Sequence, residues 1–103
     1  MKQKTKQYIV YGDAQHSWCR VKFSEIVKLG IQDKITNFSY TRGDYVYLEE
    51  DCDLSVFVEA LNKIGIKPYW KMHYTDKQSK IRSYSRYIPA LGWSDNTKSI
   101  FGG

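Results

Sequence analysis

Basic and aromatic side chains alternate near the end of the chain, in a segment whose composition suits an anionic partner. The residues are Lys77, Lys80, Arg82, Tyr84, Arg86 and Tyr87, with Trp70 and Lys71 shortly before them. Guanidinium groups pair with phosphates, and nucleotide bases stack on aromatic rings. The spacing matches no established nucleic-acid-binding motif, and a solvated basic edge that discourages strand association explains the same residues without a ligand. A binding surface and an inert edge are therefore both open.

Histidine and cysteine are scarce, which limits the nucleophilic and metal chemistry available. Cys19 and Cys52 form no CxxC pair and are expected to be reduced thiols. His16 could act as the base for either thiol, but nothing in the sequence places a third, orienting group or an oxyanion donor beside them. An enzyme in which His16 works with Asp13 or Glu50 in general acid and base catalysis is the alternative. We predict no catalytic residue, no metal site and no cofactor.

An acidic run stands out in this basic chain. It comprises Glu49, Glu50, Asp51 and Asp53. Carboxylates near a helix N-terminus are stabilised by the unpaired amides and the helix dipole, and Asp53 suits the N-cap position. The ligand pattern of a calcium loop is absent. We favour helix capping over the two functional interpretations, a divalent metal site and an acidic face for a basic partner.

The candidate residues must be positioned by a strand, turn, strand and helix over residues 39–65. The two strands flank the turn Arg42-Gly43-Asp44, which predicts a hairpin. Apolar residues then recur at helical spacing and predict the main helix over 54–64, with Gly65 as the left-handed residue that ends it.

Shorter elements surround this unit. Strands are predicted at 7–11, 17–23 and 69–75, a short helix at 25–29 with Ser24 as its N-cap, one looser helical turn at 31–35, and a linker at 66–68. Residues 81–88 fit an edge strand and a two-turn helix equally well. The order of elements predicts a small α+β, two-layer domain with an antiparallel sheet of about five strands, one main helix and one or two short helices.

Length and composition define the class of protein. The 103 residues are enough for one core, so we predict a flexible basic N-terminus at 1–6, a single domain at 7–88 and a mobile C-terminal tail at 89–103. No apolar run is long enough to span a membrane, and the basic start leads into a strand rather than a signal peptide, so a cytoplasmic protein without a membrane partner is expected. A net charge of +5 and nine tyrosines favour contact with anionic or protein surfaces.

Three segments together resemble a known group of proteins. They are Asp13-Ala14-x-His16-x-Trp18, Val46-Tyr47-Leu48-Glu49-Glu50-Asp51-Cys52-Asp53 and Ile81-Arg82-x-Tyr84-x-x-Tyr87. The pattern is similar to that of small uncharacterised proteins carried by bacteriophages and plasmids, except that Gln15 and Ser17 stand where the group has glycines. The resemblance implies a mobile-element context, in which small accessory proteins often act by binding, and it implies no particular chemistry.

The sequence therefore predicts a non-enzymatic protein of phage or mobile-element origin that binds a host, defence-related protein stoichiometrically. The predicted contact residues are His16, Trp18, Lys80, Arg82, Tyr84, Arg86 and Tyr87. Two alternatives are a protein that binds a nucleotide or nucleic acid through its basic and aromatic surface, and the small enzyme that uses His16. A homodimer is also consistent with exposed sheet edges.

Overall fold

Strands and helices follow one another closely in the computed structural model, which describes residues 4–89. The elements are β1 (Lys4–Gly12), β2 (Ser17–Lys22), α1 (Phe23–Lys28), β3 (Tyr40–Arg42), β4 (Tyr45–Glu49), α2 (Asp53–Lys63), β5 (Ile66–Tyr74), a 3₁₀ helix (Lys80–Ser83) and β6 (Ser85–Arg86). The predicted tail lies outside the described residues except for Pro89. None of the described helices has the length and apolar character needed to cross a membrane.

The strands form one six-stranded sheet in the order β5-β1-β2-β4-β3-β6. All neighbours are antiparallel except β1 and β5, which are parallel. The α+β class is confirmed, but the prediction of about five antiparallel strands is wrong, because the sheet is mixed and has six. The parallel pair arises because α2 carries the chain from the end of β4 back across the sheet before β5 begins.

The predicted linker at 66–68 is instead the start of β5. Gly65 has a φ of 77° and ends α2 as expected, and the strand follows at once. Pro68 is tolerated because β5 is an edge strand with one neighbouring strand, β1. The backbone N–H that proline lacks is therefore not required for pairing with a second strand. On the other side of the pair, Lys4–Lys6 belong to β1, so residues predicted as part of a flexible N-terminus pair with β5.

Both α-helices pack on one face of the sheet, which we call the helix side. The main helix is confirmed, and its residues Phe57 and Leu61 are fully buried against the strands. The ring of Phe57 meets the ring of Tyr8 edge to face, with centroids 5.0 Å apart. The short helix is also confirmed but begins two residues before the predicted start, so Ser24 lies within α1 rather than at its N-cap.

Asp53 does not cap α2, contrary to prediction. It is the first residue of the helix and is buried, and Cys52 occupies the N-cap position without a side-chain cap bond. The Asp53 carboxylate accepts hydrogen bonds from the backbone N and Oγ1 of Thr36 and from Oγ of Ser39. The carboxylate therefore anchors the long connection between α1 and β3 to the start of α2.

The opposite face of the sheet, which we call the tyrosine side, carries a second and smaller core. Trp18, Tyr40, Tyr47 and Ile81 are its buried residues. Ile81 comes from the 3₁₀ helix, which covers part of this face. Of the two structures that the sequence left open for residues 81–88, the edge strand is present as β6, and it follows a four-residue 3₁₀ helix rather than a helix of two turns.

Candidate functional site

Strand alternation places arginine and tyrosine side chains together on the tyrosine side. Tyr11, Arg20 and Tyr45 occupy this face on three strands, because successive side chains of a strand point to opposite faces. The Arg20 guanidinium lies 4.6 Å from the centre of the Tyr45 ring and 5.8 Å from that of Tyr11. These cation–π contacts hold a positive charge over the middle of the sheet.

Two cavities open on the tyrosine side, and the 3₁₀ helix lines part of each. The larger, which we call the basic groove, has a volume of about 540 Å³. Its lining residues are Tyr11, Gly12, Arg20, Tyr47, His73, Tyr74, Thr75, Lys77, Gln78, Ser79, Lys80, Ile81 and Tyr84. They include three permanent cations and no carboxylate, so the groove attracts anions.

A strip of rings runs along the basic groove. The ring centroids of His73 and Tyr11 lie 5.4 Å apart, those of Tyr11 and Tyr47 6.2 Å, and those of Tyr47 and Tyr84 5.1 Å. Tyr47 is buried beneath the others, and desolvation and the neighbouring Tyr84 raise the pKa of its phenol. The strip therefore places aromatic rings beside the cations, with the Tyr47 ring buried.

Lys80 and Tyr84 are the two predicted contact residues that lie in the basic groove. Tyr11, Arg20 and Tyr47 were missed as site residues. Arg20 alternates with core residues in its strand, which indicated exposure, but its meeting with the two tyrosines depends on strand order and register, which the sequence pattern does not provide.

The second cavity, which we call the mixed-charge pocket, has a volume of about 380 Å³. It is lined by His16, Trp18, Phe38, Tyr40, Glu49, Asp51, Cys52, Arg82 and Arg86. Four predicted contact residues meet here, so the β1–β2 turn and the segment after β5 do converge. Two carboxylates face two arginines, and the pocket has no marked excess of either charge.

Both arginines of the mixed-charge pocket already have partners. Arg82 donates from Nε and Nη2 to the Asp13 carboxylate at 2.9 and 3.1 Å and lies 5.3 Å from the centre of the Trp18 ring. This pairing, with backbone donors from Ser79 and the turn, holds the pKa of Asp13 well below its usual range. Arg86 donates to the carbonyl of Asn37. These arginines build the pocket wall and are poorly placed to receive a phosphate.

His16 lies beside Glu49 rather than beside the predicted acid partners. Its Nδ1 is 3.7 Å from Oε2 of Glu49, while the Asp13 carboxylate is occupied by Arg82 and Glu50 is exposed. Oε1 of Glu49 accepts from the backbone N of Asp51 and of Cys52, so one member of the acidic run stabilises the turn before α2 rather than capping the helix itself.

Three remaining candidates, Tyr87, Cys19 and Cys52, each have a raised pKa. Tyr87 lies in the core on the helix side, its hydroxyl donates to the carbonyl of Gln32, and burial raises its pKa to about 12. Burial also raises the pKa of the Cys19 thiol to about 12. Cys52 is exposed, but desolvation and then Glu49 raise the pKa of its thiol. Neither thiol has the lowered pKa of an activated nucleophile.

Comparisons with protein-family models, with curated proteins and with solved structures give no match. The structure itself defines the class: a small α+β domain with a mixed sheet, both α-helices on one side, and the basic groove and the mixed-charge pocket on the other. The chemistry of these cavities is therefore the basis for assigning a function.

Proposed function

We propose that this chain is a non-catalytic binding protein whose basic groove takes a nucleotide unit, either free or within a single strand. The observation that carries the proposal is the strip of four rings, His73, Tyr11, Tyr47 and Tyr84, flanked by cations. A nucleotide presents the complementary chemistry, a flat base that stacks on rings and a phosphate that pairs with cations.

The charges around the groove favour a phosphate. Arg20, Lys77 and Lys80 line it, and both lysine side chains are exposed and so free to follow a ligand. Arg20 is held in place by Tyr45 and Tyr11, which keeps one cation fixed beside the rings. One fixed guanidinium and two mobile ammonium groups suit a phosphodiester backbone, because phosphate contacts do not depend on the base sequence of the nucleic acid.

The dimensions of the groove also suit this ligand. Its volume of about 540 Å³ lies within the range of roughly 300–1,000 Å³ typical of small-ligand sites. Tyr74 and Thr75, at the end of β5, also line the groove, and Tyr74 is 66% exposed. The mixed-charge pocket is the weaker candidate for this ligand, because its carboxylates repel phosphate.

The test is fluorescence anisotropy with a labelled deoxythymidine oligonucleotide and with labelled ATP. Tyr84→Ala should weaken binding about tenfold, because it removes one stacking ring. The double variant Lys77→Ala/Lys80→Ala should weaken it by a similar factor of about ten, because two phosphate contacts are lost.

The matched control is Lys28→Ala/Lys34→Ala, which removes the same charge from exposed lysines that line a cavity on the helix side. This control should bind as the unchanged protein does. Equal losses in the two double variants would mean that net charge alone attracts the ligand, and the groove would then not be the site. Binding of ATP but not of the oligonucleotide would identify a nucleotide-sequestering protein, and the reverse would identify a single-strand binder.

A second candidate function is the predicted binding of a host protein, and the outer edge of β5 favours it. No described strand pairs with this edge, and Tyr69, Trp70, Met72 and Tyr74 are exposed along it at 50, 39, 58 and 66%. An extended segment of a partner could add a strand here, with the apolar side chains supplying affinity. The resemblance to phage and plasmid proteins favours a host protein as that partner.

Affinity purification from a bacterial host tests this candidate, with Met72→Lys as the disrupting variant and Val27→Lys, exposed on α1, as the control. We expect one protein in stoichiometric amount with the unchanged chain and with the control, and its loss with Met72→Lys. Retention by all three would contradict a role for β5. Light scattering gives the molar mass of the purified chain and so shows whether the same edge of β5 instead forms a homodimer.

A further inference from the structure

Three metal-ligating side chains meet at the mouth of the mixed-charge pocket. One ring nitrogen of His16 and one carboxylate oxygen each of Glu49 and Asp51 lie within 4.8 Å of one another. Nδ1 of His16 is 3.7 Å from Oε2 of Glu49, which is too long for a hydrogen bond. Two ligands of one zinc ion, each about 2.1 Å from it, are separated by about 3.0–3.4 Å. Small movements of the three side chains would therefore bring their ligand atoms to the separations found around one zinc ion.

The backbone around these side chains is held in place without any ion. Oε1 of Glu49 is used by the backbone N–H groups of Asp51 and Cys52, which leaves Oε2 directed at His16. The backbone N of His16 donates to Asp13, which is itself locked by Arg82. Contacts within the protein thus already hold His16, in the β1–β2 turn, and Glu49, at the end of β4, which lowers the entropy lost on binding.

Two buried nitrogens at this site have no hydrogen-bond partner within residues 4–89. They are Nδ1 of His16 and Nε1 of Trp18, and the Trp18 side chain is only 2% exposed and lines the same pocket. Buried polar atoms are normally paired, and an unpaired one needs an explanation. A metal ion would satisfy Nδ1 of His16, and the unpaired indole N–H of Trp18 lies in a residue that lines the same pocket.

We propose that His16, Glu49 and Asp51 bind a divalent transition-metal ion of the zinc or manganese class. One imidazole and two carboxylates suit first-row transition metals, whereas magnesium and calcium prefer oxygen ligands alone. The sequence led us to expect no metal site, because the acidic run alone is explained by the turn before α2. The proposed site differs from that expectation because the fold brings His16 to Glu49 and Asp51. It is independent of the basic groove and does not require a nucleotide.

Zinc titration by isothermal calorimetry tests the proposal, with cobalt absorption as a second readout that reports the ligands directly. His16→Gln and Asp51→Asn should each weaken zinc binding at least about tenfold. The matched controls are His73→Gln, which removes the only other histidine, and Glu50→Gln, which removes an exposed carboxylate of the same run. Both should bind zinc as the unchanged protein does, and magnesium should not compete.

The metal-free stability of each variant is measured by thermal unfolding, so that loss of the fold is not mistaken for loss of a ligand. Glu49→Gln keeps an acceptor for the two backbone N–H groups while removing the charge, and it should also weaken zinc binding. Equal zinc affinity in His16→Gln and the unchanged protein would overturn the proposal. Loss of binding in Cys52→Ser alone would overturn it as well, because the ligand would then be the exposed thiol.

Discussion

Tyr87 is a buried tyrosine whose role is structural, although its place in the basic and aromatic segment suggested a contact residue. It is 1% exposed, and its hydroxyl donates to the carbonyl of Gln32. Its pKa is raised to about 12 by burial, so the folded state holds the phenol proton more tightly than the unfolded state does. Stability from this group is complete below the unfolded-state pKa of about 10 and is lost as the pH rises toward 12.

Tyr87→Phe should lower the free energy of unfolding by about 1 kcal/mol at pH 7, because one buried hydrogen bond is lost. The difference from the unchanged protein should shrink as the pH rises above about 10, since phenylalanine has no proton to lose. Urea unfolding from pH 7 to 11.5 measures both effects, with Tyr69→Phe on the exposed edge as the control. A difference that stays constant across this range would contradict the assignment, as would weaker oligonucleotide binding by the variant.

For single residues, the sequence predicted which side chains could bind a ligand. It did not predict which of them would already be paired with another side chain of the protein. His16, Trp18, Arg82 and Arg86 do converge in one pocket. The partner of Arg82 is Asp13, separated from it by most of the chain, and only the folded backbone reveals that pairing. Asp53 shows the same limit, because its local signal matched a helix cap, while Thr36 in the connection between α1 and β3 donates to its carboxylate.

At the scale of elements, α2 contributes the fully buried side chains Phe57 and Leu61 to the larger core. Phe57→Ala should lower the free energy of unfolding by about 3–5 kcal/mol, because it opens a cavity in a fully buried position beside Tyr8. Glu59→Ala, on the exposed side of the same helix, should change it by less than about 0.5 kcal/mol. Urea unfolding monitored by circular dichroism measures both, and equal effects would mean that α2 does not pack on the sheet through Phe57.

Helices and hairpins were predictable because their signals are local. The spacing of Phe57 and Leu61 is enough to identify α2, and Gly43 with a φ of 60° marks the turn between β3 and β4. The parallel pairing of β1 with β5 depends on residues about 60 positions apart, such as Val10 and Met72. Alternation is the same in parallel and antiparallel strands, so the sequence could predict β5 without predicting its direction.

At the scale of the whole molecule, the sheet separates the helix side from the tyrosine side. The helices and the larger core occupy one face, and the cations, rings and cavities of the tyrosine side occupy the other. The net charge of +5 is modest, but three of the cations, Arg20, Lys77 and Lys80, lie beside aromatic rings in the basic groove. The central claim is therefore that a nucleotide unit is held in the basic groove by three cations.

The measurement that tests this claim most directly is the salt dependence of oligonucleotide binding, recorded by fluorescence anisotropy from 50 to 300 mM sodium chloride. Arg20, Lys77 and Lys80 can contact three phosphates, and each contact in a single strand contributes a slope of about −0.7. We therefore expect the logarithm of the association constant to fall with the logarithm of salt concentration with a slope of about −2.

The double variant Lys77→Ala/Lys80→Ala should reduce that slope to about −0.7, while Lys28→Ala/Lys34→Ala should leave it unchanged. This result would place the phosphate contacts in the basic groove. An affinity that does not change with salt, or a slope that is the same in both double variants, would contradict the account.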